Sequence, residues 1–241
     1  MRMISLIESG DITRELSDRH YGRKIRSYFD AYGLGRDFCR FYRGSGESSG
    51  IILIFNSSAV FDGDFSDDDI SSFLGFSSPE NVEMPSSLRV KSTDYHGAPR
   101  VLFEFVCPAD HIAEKLDENA PLDAHYKLIK SGFPETDYEM WLVDTSHRIR
   151  HGVSKIFMFM ENASATMQFS YGDYAFFSNI VTSPEARGQG LARRMLYSIC
   201  RRFSEDGKRC CLFALPHRTS FYREIGFKEI DNDIIYYKNG E

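Results

Sequence analysis

Residues 174–203 read YAFFSNIVTSPEARGQGLARRMLYSICRRF, and the fold turns on this stretch. Tyr174 to Thr182 is strongly apolar and predicts a strand. Ser183-Pro184-Glu185-Ala186 interrupts it, and Arg187-Gly188-Gln189-Gly190-Leu191-Ala192 follows. From Gly190 to Phe203 the apolar residues Leu191, Met195, Leu196, Ile199 and Phe203 recur at helical spacing, so a helix anchored by one face is expected. Strand, glycine loop and helix start in that order form an anion site on physical grounds. The first N–H groups of a helix lack internal partners, and the macrodipole places about half a positive charge there. Glycines remove the Cβ that would keep a phosphate from the backbone.

The flanks complete an alternating pattern. Lys155 to Met160 and Ser164 to Tyr171 predict two strands joined by a turn at Glu161-Asn162-Ala163, and Gly172-Asp173 turns the chain into the strand at Tyr174. Gly207 stops the helix, and Arg209 to Leu215 reads as a strand that must end at Pro216. Arg218 to Ile225 is a short helix stopped by Gly226, and Ile234 to Tyr237 a last strand. Three meandering strands followed by strand–helix–strand–helix predict an α/β fold with a mixed sheet. Upstream, helices are expected at Arg19 to Tyr32 and Leu122 to Lys130, and strands at Asp37 to Tyr42, Ile51 to Phe55 and Val101 to Val106. Ser66 followed by three aspartates predicts a capped helix that Gly75 would end. Ser, Pro and charge dominate Ser78 to Asp94, which places a boundary there and gives domains at 1–95 and 96–241.

The phosphate ligand follows from what the loop lacks. No GxxxxGK[ST] is present, and a dinucleotide GxGxxG fails because Arg193 holds the third glycine position. Arg187-x-x-Gly190-x-Ala192 instead resembles the coenzyme A pyrophosphate loop of the GNAT acetyltransferase superfamily. Tyr222-Arg223-Glu224-Ile225-Gly226-Phe227 is similar to that family's closing Tyr-x-x-x-Gly-Phe, and the strand order from Lys155 to Tyr237 agrees. The resemblance covers the C-terminal half of the chain. It implies a mixed, mostly antiparallel sheet of the GNAT type with flanking helices, preceded by a smaller α/β N-terminal domain. The first 95 residues would be a degenerate copy of the same fold. Arg43-Gly44-Ser45-Gly46-Glu47-Ser48 nearly repeats the loop, but a strand follows it and the anion argument does not apply.

By this resemblance the protein is an N-acetyltransferase moving acetyl from acetyl-CoA, its co-substrate, to a primary amine of a small molecule or peptide by direct attack. A non-catalytic coenzyme A sensor is the alternative. The backbone of Gly188, Gln189, Gly190, Leu191 and Ala192 would cradle the pyrophosphate, with Arg187 adding charge. Asn179, Ile180 and Val181 would pair their backbone with the pantetheine arm, in a gap where their strand splays from the one at Arg209. Tyr222 matches the family's general acid: a phenol of pKa about 10 can donate to a thiolate whose thiol lies near 8.5. No base is legible. The strand glutamate of some relatives is missing, since Tyr174 to Thr182 offers only Ser178 and Asn179. Glu161, Asp173 and His217 remain candidates, each readable as a turn or surface residue. Arg193 and Arg194 read as solvated, and His147-Arg148-Ile149-Arg150-His151 as a solvated turn.

Composition narrows the classes. Lysine plus arginine is 29 and aspartate plus glutamate 35, a net charge of −6. With no basic tract, nucleic acid and anionic membranes are not expected partners. Met1 to Gly10 lacks the apolar core of a signal peptide, and no run approaches a spanning helix. The five cysteines, Cys39, Cys107, Cys200, Cys210 and Cys211, form no metal-binding spacing. They read as packing residues of a reducing cytoplasm, with no metal.

Overall fold

A computed structural model describes residues 4–105 and 112–240. In chain order it begins β1 (Ile4–Leu6), α1 (His20–Tyr32), β2 (Cys39–Gly44), β3 (Ser49–Phe55), β4 (Ser58–Asp64), α2 (Asp67–Ser77), β5 (Asn81–Glu83) and β6 (Tyr95–Phe105). There follow α3 (Leu122–Gly132), α4 (Tyr138–Arg150), β7 (Lys155–Phe159), β8 (Ala163–Tyr171) and β9 (Tyr174–Thr182). The chain closes with α5 (Leu191–Glu205), β10 (Arg209–Ala214), α6 (Thr219–Glu224) and β11 (Lys228–Lys238). Two compact units result, Met1–Arg100 with Asn232–Glu241, and Val101–Asp231. The division falls inside β6, between Arg100 and Val101 and not at 95/96, and again inside β11, so that Asn232–Glu241 join the first unit.

In the first unit β1 to β4 pair antiparallel in sequence order, and β5 returns parallel to β4 through α2. Both faces of the sheet are covered, which explains the unbroken apolar run in β3. Ile51 and Leu53 pack with Ile25 of α1, whereas Ile52 and Ile54 pack with Ile70, Phe73 and Leu74 of α2. Ser66 caps α2 by accepting from the Asp69 amide. The helix passes Gly75 and ends at Ser77, where Ser78 takes the left-handed conformation at φ 46°. Gly75 is therefore not the stop expected from the sequence. A buried ionic cluster crosses this unit. The Arg100 guanidinium donates to Asp233 at 2.7 Å, to Glu83 at 2.8 Å and to the Tyr21 hydroxyl at 2.9 Å. Lys24 also donates to Glu83, at 2.6 Å, and the Tyr21 hydroxyl to Asp233.

The second unit is a mostly antiparallel sheet in the order β6-β10-β9-β8-β7, with β9 and β10 parallel. α5 is the crossover between them and buries Leu191, Met195, Leu196 and Ile199 against Phe157, Ala165 and Phe177. α3 covers the other face, where Leu128 meets Ile156, Met158 and Val181. The segment expected to be a solvated turn, His147 to His151, is instead the last turn of α4 and its cap. Arg148 is buried there and donates to the Gln168 carbonyl at 2.8 Å, because a helix end set against β8 brings its cation to a sheet carbonyl. Cys39, Cys200, Cys210 and Cys211 are buried, and burial pushes the Cys211 thiol up to about 12. Cys107 and Val106 lie outside the described residues. No described helix is long and apolar enough to cross a membrane.

Candidate active site

The loop after β9 is fixed at its base and open at its tip. Ser183 is buried, its amide donating to the Asn162 carbonyl and its hydroxyl to the Asn162 side chain, both at 2.8 Å. A 3-10 turn over Pro184–Ala186 buries Ala186, after which Arg187 to Gly190 are exposed and Leu191 is buried again. Gly188 and Gly190 have φ of 77° and 73°, which side chains rarely tolerate, and a Cβ built on either meets no atom within 4 Å. Open space therefore lies in front of the backbone. Gly190 is the N-cap of α5 and supplies no side-chain acceptor, and the first turn of α5 carries no acid. The leading amides of this helix are thus left for an external acceptor.

The start of α2 shows what a filled site looks like. There Ser66 accepts from the Asp69 amide, and Asp67, Asp68 and Asp69 surround the helix start with negative charge. The near-repeat at Arg43 to Ser48 joins β2 to β3, two antiparallel strands, with no helix after it.

β9 and β10 separate beside the loop. Their pairing ends at Phe177 and Leu212, so no β10 residue pairs with Ser178 to Thr182. On the other side of β9, Thr166 pairs with Ser178 and Ser164 with Val181, which sets Asn179 and Ile180 against Ala165 alone. This is a bulge, and Asn179 adopts φ 50° within it, a region that asparagine tolerates better than most residues. Bulges re-aim a strand's polar groups beside active sites. Ile180 is half-buried against the α5 core, and Val181 is buried against α3.

Tyr222 of α6 is 9% exposed and sits among the rings of Phe103, Phe221 and Phe227, at centroid distances of 5.7, 5.2 and 5.6 Å. Burial pushes its phenol up to about 12. Among the described residues its hydroxyl has no hydrogen-bond partner. The Gly226-Phe227 pair places this tyrosine: the Phe227 amide donates to the Tyr222 carbonyl at 2.9 Å, and a Cβ at Gly226 would stand 3.0 Å from the Phe105 ring.

The remaining sequence candidates are dispersed. Asp173 lies at the far end of β9 from the bulge and pairs with Arg209 at 2.9 Å. Glu161 is an exposed turn residue with φ 57°, and His217 is exposed in the 3-10 turn after β10. Arg193 is exposed on α5, and among the described residues Arg187 reaches only the Thr182 carbonyl, at 3.4 Å. Arg194, expected to be solvated, is held in a bidentate pair with Glu114 at 2.8 and 2.5 Å, over the ring of Phe159. Two contacts had no sequence signal, because they depend on strand register and helix docking. The Gln168 amide donates to the Ser178 hydroxyl at 2.7 Å, and the buried His125 ring meets the Thr166 hydroxyl at 3.0 Å. Burial lowers His125 to about 4, so its ring is neutral at pH 7. Among the described residues no group of three His, Cys, Asp or Glu side chains is placed to hold a metal.

Comparison with known proteins finds a family model that matches part of the chain and solved structures that share its fold. Residues 139–229 match the family model described as the acetyltransferase (GNAT) domain. No curated relative matches the sequence. Solved structures similar to the chain include a GCN5-related N-acetyltransferase from Sphaerobacter thermophilus, at 16% identity and TM-score 0.56, over 88% of this chain and 85% of that one. An acetyltransferase of the GNAT family from Colwellia psychrerythraea is 11% identical, with TM-score 0.53, over 98% of this chain and 99% of that one. A GCN5-related N-acetyltransferase from Kribbella flavida is 10% identical, with TM-score 0.54, over 79% and 87%. At such identities the structures speak for the fold. The solved structures share the fold, and residues 139–229 resemble the acetyltransferase (GNAT) domain.

Proposed function

We propose that the protein moves acetyl from acetyl-CoA to a primary amine by direct attack, with no covalent enzyme intermediate. The observation that carries this reading is the uncapped start of α5 behind Gly188 and Gly190, with open space in front of both. The amides from Gly188 to Ala192 take the pyrophosphate, and Arg187 and Gln189 line the exposed side of the loop. The unpaired edge of β9 at Asn179 to Val181 takes the pantetheine arm, and the thioester lies where β9 leaves β10.

Tyr222 serves the leaving group. A phenol at about 12 keeps its proton throughout the working range. Handing that proton fully to a thiolate whose thiol lies near 8.5 would be uphill by about 5 kcal/mol. Its contribution is therefore a hydrogen bond to the charge growing on sulfur, which is strongest in the transition state. The first unit is a degenerate copy of the fold in this reading. It repeats the meander, the helix and the parallel return, and its own carboxylates fill the helix start that would bind phosphate. Buried cysteines suit a cytoplasmic protein.

The test is a turnover screen of acetyl-CoA against an amine panel, with a binding titration beside it. Thiol release that depends on an amine supports the enzyme. Binding without turnover on any amine supports a coenzyme A sensor.

A further inference from the structure

The acceptor side of the β9 bulge carries hydroxyls and an amide where a base is needed. Ser178 is half-buried and accepts from the Gln168 amide at 2.7 Å. A serine hydroxyl has one donor and two lone pairs, so the proton and one lone pair of Ser178 are uncommitted to any described residue. It stands one position before Asn179, at the point where β9 has left β10. β8 and β9 contain no carboxylate.

Among the described residues the titratable groups on this face are few, and on β9 itself Tyr174 is one of them, hydrogen-bonded to Cys211. α3 contributes His125, whose Nε2 is engaged with Thr166 and whose buried Nδ1 has no partner, and α4 contributes Arg148, bound to the Gln168 carbonyl. Cys211 of β10 and Glu104 of β6 follow on the next strands, with Glu104 held by Arg209. α5 packs its apolar stripe on the opposite face. The neutral His125 ring, near 4, and the Cys211 thiol, near 12, change charge outside the range in which an amine is made ready at pH 7.

We propose that Ser178, held in place by Gln168, receives the attacking nitrogen, and that the site therefore selects amines that keep a sizeable neutral fraction near pH 7. These are α-amino groups of peptides or amino acids, and aromatic amines, in preference to lysine side chains. The inference rests on the acetyltransferase reading above and names its acceptor class. Ser178 accepts one N–H of the neutral amine and so turns the nitrogen lone pair toward the thioester carbon. The N–C bond forms and the C–S bond breaks with its electron pair on sulfur. The surplus amine proton passes through water to that sulfur, so acetyl-CoA and amine become amide and coenzyme A thiol. Gln168 acts through Ser178 and is a positioning residue. At pH 7 the neutral fraction of an α-amine of pKa about 8 exceeds that of a lysine at 10.4 by roughly 250-fold.

The experiment uses the full chain and one lysine-containing tripeptide in two forms, with either the α-amine or the side-chain amine blocked. The α-amine form is expected to show kcat/KM at pH 7 about 10²-fold higher. Each pH profile should rise to a plateau at the pKa of its own acceptor. Ser178→Ala and Gln168→Leu should each lower kcat/KM for the acceptor about three- to tenfold, the effect of one hydrogen bond, with the acetyl-CoA KM unchanged. Ser178→Thr, which keeps the hydroxyl, should restore most of the loss. A limb fixed between pH 6 and 8 for both peptides, preference for the lysine amine, or full activity in Ser178→Ala would overturn the inference and leave the acetyltransferase reading intact. Wild type that binds acetyl-CoA and acetylates neither peptide nor any other amine would overturn both.

Discussion

Removing one oxygen from Tyr222 separates its chemistry from its packing. In Tyr222→Phe the ring keeps its contacts with Phe103, Phe221 and Phe227. The hydroxyl has no partner among the described residues, so its loss leaves no orphaned group, and the melting temperature should hold within a degree or two. Acetyl-CoA affinity should hold as well. The lost interaction is a hydrogen bond to a charge, worth about 1.5–3 kcal/mol. Because that charge exists only as the C–S bond breaks, the loss falls on kcat, about 10- to 150-fold, while the acetyl-CoA KM stays put. Steady-state thiol release at saturating amine measures it. With the phenol near 12, the wild-type rate should show no limb from this group below about pH 10. A fall of less than threefold in a variant of unchanged melting temperature would reduce Tyr222 to a packing residue. A fall beyond about 10³-fold would contradict the uphill-transfer argument and require full proton donation.

Three further outcomes follow from the same geometry. Gly46→Asp lies in the β2–β3 hairpin and should leave acetyl-CoA affinity unchanged by calorimetry, since no helix starts there. His125 is lowered to about 4 by burial, so the unfolded chain takes up its proton first as pH falls from about 6.5. Stability should drop by about 3 kcal/mol between pH 6.5 and 4, followed by denaturant titration, and His125→Gln should remove that part of the loss. Burial alone would push Glu83 up, but Lys24 and Arg100 outweigh it and hold its carboxyl well below the usual range. Arg100→Met removes the guanidinium that Glu83 and Asp233 share, leaving Glu83 its contact with Lys24, and should cost about 3–5 kcal/mol in the same titration.

Legibility in the sequence followed the range of the interactions involved. β9 ends at Thr182 as its apolar run does, and α5 begins one residue after the predicted Gly190, because propensity, glycine punctuation and periodicity agree there. Context also separated Arg187 to Ala192 from its near-repeat at Arg43 to Ser48. α4 escaped notice because its buried face includes Thr145 and Arg148, which spoil an apolar stripe. β4 escaped because Asp62 and Gly63 interrupt it, and β5 because it is three residues long. The bulge at Asn179, the Gln168–Ser178 bond and the Arg194–Glu114 pair depend on register and docking between distant segments, which local pattern does not encode. The same holds for Arg100 and Asp233, which lie 133 residues apart.

The anion site at the start of α5 carries the proposed activity, and Gly190→Asp addresses it directly. The substitution sets a carboxylate at the helix N-cap, where the pyrophosphate would lie, and leaves the buried anchors Ser183, Ala186 and Leu191 untouched. Isothermal titration of acetyl-CoA into wild type and variant, with the circular dichroism of both compared, is the measurement. Saturable binding by wild type and its loss in a folded Gly190→Asp are the predicted result; equal affinity in the two proteins would contradict it.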